Sequence, residues 1–163
     1  MAEPLHLHFP DDRPDLTTTS VSQYLDGLGK SVLDAHPLNG TIEIVLTSDE
    51  ELERLNTNFR GVNRPTDVLS FSLQEGQPLV VAESEERTAG EIYISVERAT
   101  EQATSLHVTL WEELGRLMVH GLLHLAGYDH DTEETLRFME GETESFLQRH
   151  NVPETRSVTS DER

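Results

Sequence analysis

One stretch organises the chain, and it reads His120-Gly-Leu-Leu-His124-Leu-Ala-Gly127-Tyr-Asp-His130. On a helix, residues i and i+4 lie one above the other with about 5–6 Å between their Cβ atoms, so His120 and His124 present their imidazoles on one face. Gly127 is the residue type that most readily takes the left-handed conformation that ends a helix, and such a turn lets His130 close a third corner. The spacing therefore predicts three ligands of one metal ion.

Three neutral imidazoles favour zinc of the catalytic kind. They leave the charge of the ion uncancelled and a fourth tetrahedral position open, whereas structural zinc sites are closed by four protein ligands. Water bound at such a position ionises with a pKa of about 7. The chain contains no cysteine, so histidine and carboxylate are the zinc ligands that it offers. We predict one Zn2+ per chain, and the alternative is a chance spacing of histidines on a packed helix.

The same spacing is that of the metzincin zinc proteases, H-E-x-x-H-x-x-G-x-x-H, with one difference. Position 121 is Gly here, whereas the proteases have the Glu that takes the proton from zinc-bound water. Glycine inside a helix costs roughly 1 kcal/mol relative to alanine, which suggests that space beside the metal is wanted at Gly121. A zinc peptidase would lack its base and is kept as an alternative.

Apolar periodicity predicts an α+β domain, a small four-stranded mixed sheet with about five helices packed on it. Alternating residues indicate strands near 5–9, 41–47, 68–73 and 90–95, and helical spacing indicates helices near 20–35, 49–59, 96–104, 110–125 and 131–150. The predicted caps are Ser48 with Glu51, Ser95, Thr109 with Glu112, and Asp131 with Glu134. Apolar stripes should face inward, namely Leu52, Leu55 and Phe59 on the second helix and Leu136, Met139, Phe146 and Leu147 on the last.

A chain of 163 residues is the size of one domain. We expect that domain over residues 1–150, with a mobile loop at 74–89 and a disordered polar tail at 151–163. The N-terminus lacks the basic start and apolar run of a signal peptide, and no apolar stretch reaches membrane-spanning length. The expectation is a soluble cytoplasmic protein with no membrane partner.

The chain is strongly acidic, because 31 acidic residues against 12 basic ones give a formal net charge of −19. Proteins that bind nucleic acid usually carry basic patches that displace counterions from phosphate, so the charge taken alone argues against RNA or DNA. Lys30 is the only lysine, and the composition resembles the acidic surface of proteins from high-salt cytoplasm. That hypothesis fails if the protein folds and stays monomeric equally well at low and molar salt.

Four stretches resemble the YbeY endoribonucleases, a family also called rRNA maturation factors. In order along the chain they are Leu55-Asn-Thr-Asn-Phe-Arg60-Gly, Arg64-Pro-Thr-Asp-Val-Leu-Ser-Phe71, Gly90-Glu-Ile-Tyr-Ile, and His120 through His130. The resemblance spans roughly residues 5–147. It implies a zinc-dependent endoribonuclease that cleaves single-stranded RNA and acts in 16S rRNA maturation and small-subunit ribosome quality control. The implied partners are rRNA and the small ribosomal subunit, and no DNA partner is expected.

The resemblance also implies roles for single residues. His120, His124 and His130 match the zinc ligands of the family, and Arg60 matches its functional arginine. The catalytic candidates are therefore Arg60 and His120. Two departures from the family pattern are Glu91, where the family usually has Asp, and Ser72, where it often has Pro.

Further residues near the motifs have two readings each. The guanidinium of Arg60 is a planar fork suited to phosphate, and its alternative is a surface ion pair with Asp49 or Glu53. Asp129, Glu91 and Arg64 are candidates for orienting an imidazole or contacting substrate, although Arg64 precedes a proline that it could simply help to turn.

Metal-assisted phosphodiester cleavage is the mechanism that this set of residues favours. Zinc would polarise the phosphoryl oxygen or supply hydroxide, and Arg60 would offset negative charge in the transition state. No residue is an obvious base, so the proton acceptor stays open among the metal, a nearby carboxylate and the substrate phosphate. Whether water or the ribose 2′-OH attacks is also open. The remaining alternative is a non-catalytic ribosome assembly factor that is stabilised by its metal.

Overall fold

Four strands form one mixed sheet in the computed structural model, which describes residues 4–60, 66–73, 88–128 and 131–153. The strands are β1 (Leu5–His8), β2 (Thr41–Thr47), β3 (Val68–Ser72) and β4 (Thr88–Ser95), in the order β1-β2-β4-β3. β1, β2 and β4 run parallel, and β3 pairs antiparallel with β4 at one edge. This confirms the predicted small mixed sheet, although β4 begins two residues earlier than expected.

Five α-helices and one 3-10 turn (Pro14–Thr17) complete the described part of the chain. The helices are α1 (Thr19–Ala35), α2 (Asp49–Arg60), α3 (Val96–Leu106), α4 (Leu110–Leu125) and α5 (Glu133–Gln148). The α+β class is therefore confirmed. None of the helices in these described residues is long and apolar enough to cross a membrane. Residues 74–87 and 154–163, to which most of the predicted loop and tail belong, lie outside the described part.

Side-chain caps start the helices where the sequence predicted them, with one exception. The hydroxyls of Ser48, Ser95 and Thr109 each accept a backbone N–H three residues on, at 3.1 Å. The predicted cap of α5 at Asp131 is wrong, because Thr132 takes that position and forms a reciprocal capping box with Thr135. A threonine hydroxyl both donates and accepts, so two threonines satisfy each other as well as two backbone N–H groups.

The two faces of the sheet carry different cores. Isoleucines on neighbouring strands, such as Ile44 beside Ile92, are buried on the face that α1 and α4 cover, and α5 packs on those two helices. Complete burial of such a side chain is worth about 1.5–3 kcal/mol, so this face contributes most of the hydrophobic stabilisation. The opposite face carries α2 over a smaller cluster of Leu52, Leu55 and Leu69.

Two apolar residues that were predicted to face the core, one on α2 and one on α5, are exposed to solvent instead. The ring of Phe59 is 68% exposed because it lies one turn beyond Leu55, where α2 reaches the edge strand β3. Leu136, in the first turn of α5, is 38% exposed, whereas Met139, Phe146 and Leu147 of the same helix are buried as predicted. Both misplacements occur at helix ends, where an apolar stripe extends past the surface that it covers.

A carboxylate joins the first two strands on the α2 face of the sheet. The carboxylate of Glu43 on β2 is hydrogen-bonded to Nδ1 of His6 at 2.8 Å and to Nε2 of His8 at 2.7 Å, and both histidines lie on β1. Partial burial alone would raise the pKa of Glu43, but the hydrogen bonds with His8 and His6 outweigh it and lower the pKa below 4.5. The two histidines therefore form the polar face of β1.

We predict that Glu43→Gln lowers the free energy of unfolding by up to about 1 kcal/mol at neutral pH, a modest value because solvent screens the cluster. A carboxyl whose pKa is lowered by folding stabilises the fold above its unfolded pKa, and this contribution is lost as the pH falls through the folded pKa. The difference between wild type and variant should therefore vanish below the folded pKa. Urea unfolding measured across acidic pH tests this, and a difference that stays constant with pH would contradict it.

Candidate metal centre

α4 carries the first two predicted ligands at the boundary between core and solvent. Leu114, Met118 and Leu122 of this helix are buried in the main core. His120 is half-buried and His124, one turn on, is exposed. The sequence placed both imidazoles on one face of a helix, and the structure confirms their common helix and their spacing of four residues.

The turn that ends α4 is a Schellman motif built on Gly127. Gly127 has φ +110°, its N–H donates to the carbonyl of His124 at 3.0 Å, and the N–H of Tyr128 donates to the carbonyl of Leu123 at 3.1 Å. These are the two bonds that define the motif and satisfy carbonyls left over at a helix end. The predicted glycine turn is confirmed, and it fixes the direction in which the chain leaves His124.

Tyr128 belongs to the packing around this turn. Its ring contacts His36 edge-on, with centroids 5.3 Å apart, and Phe138 at 5.1 Å. The residue packs against the main core, as expected of a structural tyrosine. The turn is thus anchored to α1 and α5 as well as to α4.

Gly121 is the point of closest approach between α4 and the sheet. A Cβ at this position would lie 2.9 Å from Cγ2 of Ile92 and 3.0 Å from Oγ of Ser70, and the Ser70 hydroxyl makes a long hydrogen bond of 3.5 Å to the carbonyl of Gly121. Real Cβ contacts are rarely so short. Glycine at position 121 is therefore explained by close packing against the sheet and not by a need for space beside a metal. The Cβ of any other residue there would be too close to Ile92 and Ser70.

The acidic start of α4 holds an arginine between two helices. Glu113 is buried, with 2% of its surface exposed, and contacts Arg116 at 3.2 Å. Burial raises the pKa of Glu113 even though Arg116 opposes the shift. Arg116 also pairs with Glu112 at 3.1 Å and with Glu144 of α5. This cation joins α4 to α5 and is already neutralised by three carboxylates.

The catalytic candidate Arg60 is the last residue of α2, and its side chain lies outside the described part. Asp49, one of the two carboxylates suggested as an ion-pair partner of Arg60, already has other partners. It accepts hydrogen bonds from the guanidinium of Arg98 at 2.9 Å and from the hydroxyl of Ser95 at 3.2 Å. The predicted candidates Arg64, Asp129 and His130 also lie outside the described residues.

The predicted candidate Glu91 lies on the opposite face of the sheet from the α4 segment that carries His120 and His124. It lies on β4 beside Ile92, with its side chain on the α2 face of the sheet, and accepts the hydroxyl of Tyr93 at 3.0 Å. Gly121 and the histidine-bearing part of α4 pack on the other face, against Ile92.

The described residues provide only part of the predicted metal site. Two imidazoles one helical turn apart, one half-buried and one exposed, are suitable donors for zinc that must also admit a substrate. Within residues 4–60, 66–73, 88–128 and 131–153, no group of three or more His, Asp or Glu side chains is placed to hold an ion. These ranges therefore supply two of the three predicted ligands.

Comparison with known proteins identifies the family to which the sequence is similar. The sequence model described as Endoribonuclease YbeY matches residues 10–151, which include α2, the whole sheet from β2 onward, and the histidine stretch. The chain belongs to the YbeY family. The resemblance inferred from the four sequence stretches is confirmed by this match.

Individual relatives cover nearly the whole chain. Proteins named Endoribonuclease YbeY from Geobacillus kaustophilus and Heliobacterium modesticaldum are 34% and 37% identical to it, each over 91% of this chain and 97% of the relative. One from Pelotomaculum thermopropionicum is 43% identical over 68% of this chain and 72% of its own length. The solution structure of a Thermotoga maritima protein matches with a TM-score of 0.55 and 26% identity, over 89% of this YbeY chain and 90% of that one.

We predict that Gly121→Ala destabilises the protein although alanine is the better helix former. Overpacking against a buried isoleucine costs about 1–3 kcal/mol, and the gain in helix propensity offsets up to about 1 kcal/mol of it, so a net loss on the order of 1 kcal/mol is expected. Gly141 of α5 is the matched control, because a Cβ there meets nothing within 4 Å.

Gly141→Ala should stabilise the protein by about 0.5–1 kcal/mol. Chemical unfolding of both variants beside the wild type measures the two changes. Stabilisation by both substitutions would refute the close approach of α4 to the sheet at Gly121.

Proposed function

We propose that this protein is a zinc-dependent endoribonuclease that cleaves single-stranded RNA in 16S rRNA maturation and small-subunit ribosome quality control. The observation that carries the proposal is the pair His120 and His124 on α4, followed by the Gly127 turn, within a chain whose family match spans residues 10–151. Relatives that match 91% of the chain are named endoribonucleases. The substrate class is accordingly RNA, and the partners are rRNA and the small ribosomal subunit.

The protein would hold the metal with His120, His124 and His130. The helix would supply the first two imidazoles, and the Schellman turn ends that helix shortly before His130 in the chain. The three histidines leave room for a further ligand, which is the arrangement that catalytic zinc uses. When bound, zinc supplies a Lewis acid that can polarise a phosphoryl oxygen or lower the pKa of coordinated water.

Arg60 is proposed to bind the phosphate and to offset negative charge as the transition state forms. A guanidinium makes two parallel charge-assisted hydrogen bonds to phosphate and stays protonated at any physiological pH. Asp49, one of its two alternative partners, is engaged by Arg98. The proton acceptor and the attacking group stay open, with the metal, a carboxylate and the substrate phosphate as the candidate acceptors.

A peptidase reading is disfavoured by packing as well as by sequence. The glutamate that metzincins use would occupy position 121, where even a Cβ would be 2.9 Å from Ile92. Introducing that glutamate would push α4 away from the sheet before it could act on a metal-bound water.

We predict that His120→Ala and His124→Ala each reduce cleavage of labelled single-stranded RNA by at least about 100-fold and lower the zinc content from near one equivalent per chain. Arg60→Glu should reduce cleavage by a similar factor with zinc content unchanged, because it removes charge stabilisation without removing a ligand. Metal analysis and a gel-based cleavage assay on the same preparations give both values.

Two control variants match these changes. His107→Asn replaces an exposed histidine at the end of α3, where φ is +60° and asparagine is tolerated, and Arg54→Glu reverses an exposed charge on α2 itself. Both should retain activity within about 3-fold, a change of less than 1 kcal/mol. Full cleavage by the histidine variants would sink the proposal, and pure protein that binds ribosomes without cutting RNA would support the assembly-factor alternative.

A further inference from the structure

Three aromatic rings form a row on the α2 face of the sheet and end in solvent at its edge. The ring centroids of Phe59 and Phe71 are 5.8 Å apart with an interplanar angle of 69°, and those of Phe71 and Tyr93 are 5.9 Å apart at 76°. Offset and edge-to-face contacts of this kind are the favourable geometries for aromatic pairs. The row is therefore an ordered surface that begins inside the small core and ends at Phe59.

The inner end of the row is fixed. The hydroxyl of Tyr93 donates to Glu91 at 3.0 Å, and burial together with the neighbouring Glu91 carboxylate raises the pKa of Tyr93 to about 12, so the phenol remains a donor. Phe71 lies on β3 and packs against the cluster of Leu52, Leu55 and Leu69. Phe71 and Tyr93 act as positioning residues for the outermost ring.

Phe59 differs from its neighbours in exposure. At 68% it is the most exposed large apolar residue in the described part of the chain. A single exposed phenylalanine is ordinary on a protein surface. This one, however, is held by a preformed ring contact, and it immediately precedes Arg60, the residue to which the proposed phosphate contact is assigned. An ordered, exposed aromatic ring offers a face on which one base can stack, and the residue that follows it in the chain is the arginine proposed to bind phosphate.

Charge favours stacking as the source of affinity. The formal net charge is −19, and two arginines with described side chains, Arg54 of α2 and Arg98 of α3, are paired with Glu51 and Asp49. The positive charges of these two side chains are therefore largely neutralised by their carboxylate partners and contribute little attraction for phosphate. Stacking of a base on an aromatic ring needs no charge, and it contributes about 1–3 kcal/mol per base in single-strand binding proteins.

We propose that Phe59, held in place by Phe71 and Tyr93, is a stacking platform for an unpaired base of single-stranded RNA. This inference rests on the proposed function and adds a substrate contact to it. Bases of double-stranded RNA are stacked on each other and cannot reach such a ring, so the contact selects for single strands. Because every base has a π-face, it gives little preference for sequence.

The test is binding of a fluorescein-labelled 2′-O-methyl oligoadenylate of about ten nucleotides, a length within the range of known single-strand sites. Fluorescence anisotropy gives the Kd for wild type, Phe59→Ala, Phe59→Leu and Phe59→Trp, and a gel checks that the oligomer stays intact. The control Leu106→Ala removes another exposed apolar side chain, 54% exposed, from the end of α3. Since Phe59 is mostly in solvent, its variants should melt close to the wild type.

We expect Phe59→Ala and Phe59→Leu to raise the Kd by about 10-fold or more, and Phe59→Trp and the Leu106 control to stay within about 3-fold. An oligomer of abasic sugar-phosphate units should bind wild type and Phe59→Ala equally weakly, because no base remains to stack. The same variants are assayed for cleavage of unmodified RNA.

Other outcomes separate the two proposals. Tight binding by Phe59→Leu would show that apolar bulk is enough and would overturn stacking. Unchanged RNA affinity in Phe59→Ala, together with loss of a dimer in sedimentation, would assign the ring to contact between copies of the chain and would also overturn it. Wild type that neither binds nor cleaves single-stranded RNA would remove the proposed function and this inference together, whereas normal cleavage by every Phe59 variant would remove the inference alone.

Discussion

The close approach of α4 to the sheet is the constraint on which the rest of the structure depends. Gly121 allows the helix axis to come near enough that Ile92 and Ser70 fill the place of a side chain. Gly90 repeats the arrangement from the sheet side, since a Cβ there would lie 2.8 Å from Cδ1 of Leu125. Interiors packed at crystal-like density tolerate no extra methylene at such contacts. The two glycines therefore fix how far α4 lies from β3 and β4 and which of its faces turns outward.

The orientation of α4 then determines which of its side chains reach solvent. With the Gly121 side of the helix against the sheet, His120 and His124 come to the boundary between core and solvent. The Gly127 turn uses the carbonyl of His124 as one of its acceptors, so the residue that ends the helix hydrogen-bonds to the backbone of a proposed ligand. A protease and a nuclease could share this scaffold of histidines. What distinguishes the present chain is that position 121 is used for packing and is therefore closed to a catalytic carboxylate.

Local signals in the sequence predicted most of the fold. Alternation predicted β2 to the residue, and hydroxyl caps such as Ser95 and Thr109 marked where helices begin, because both are properties of a few neighbouring residues. The failures depended on tertiary context. The periodicity of α2 continues through Phe59, but only the position of the edge strand β3 decides that this ring lies outside. In the same way, the role of Gly121 required knowledge of which strand its helix meets. Of the predicted site, the pairing of the two helical histidines and the glycine turn followed from spacing, whereas the placement of Glu91 on the opposite face required the strand register.

The central claim is that α4 and its glycine turn hold a metal ion. Crystals of the protein grown with zinc, with diffraction recorded on both sides of the zinc absorption edge, test it most directly. The account predicts one anomalous peak per chain, bound by the imidazoles of His120 and His124 and by His130. A zinc-loaded crystal with no peak beside α4, or with its only peak elsewhere on the chain, would contradict it.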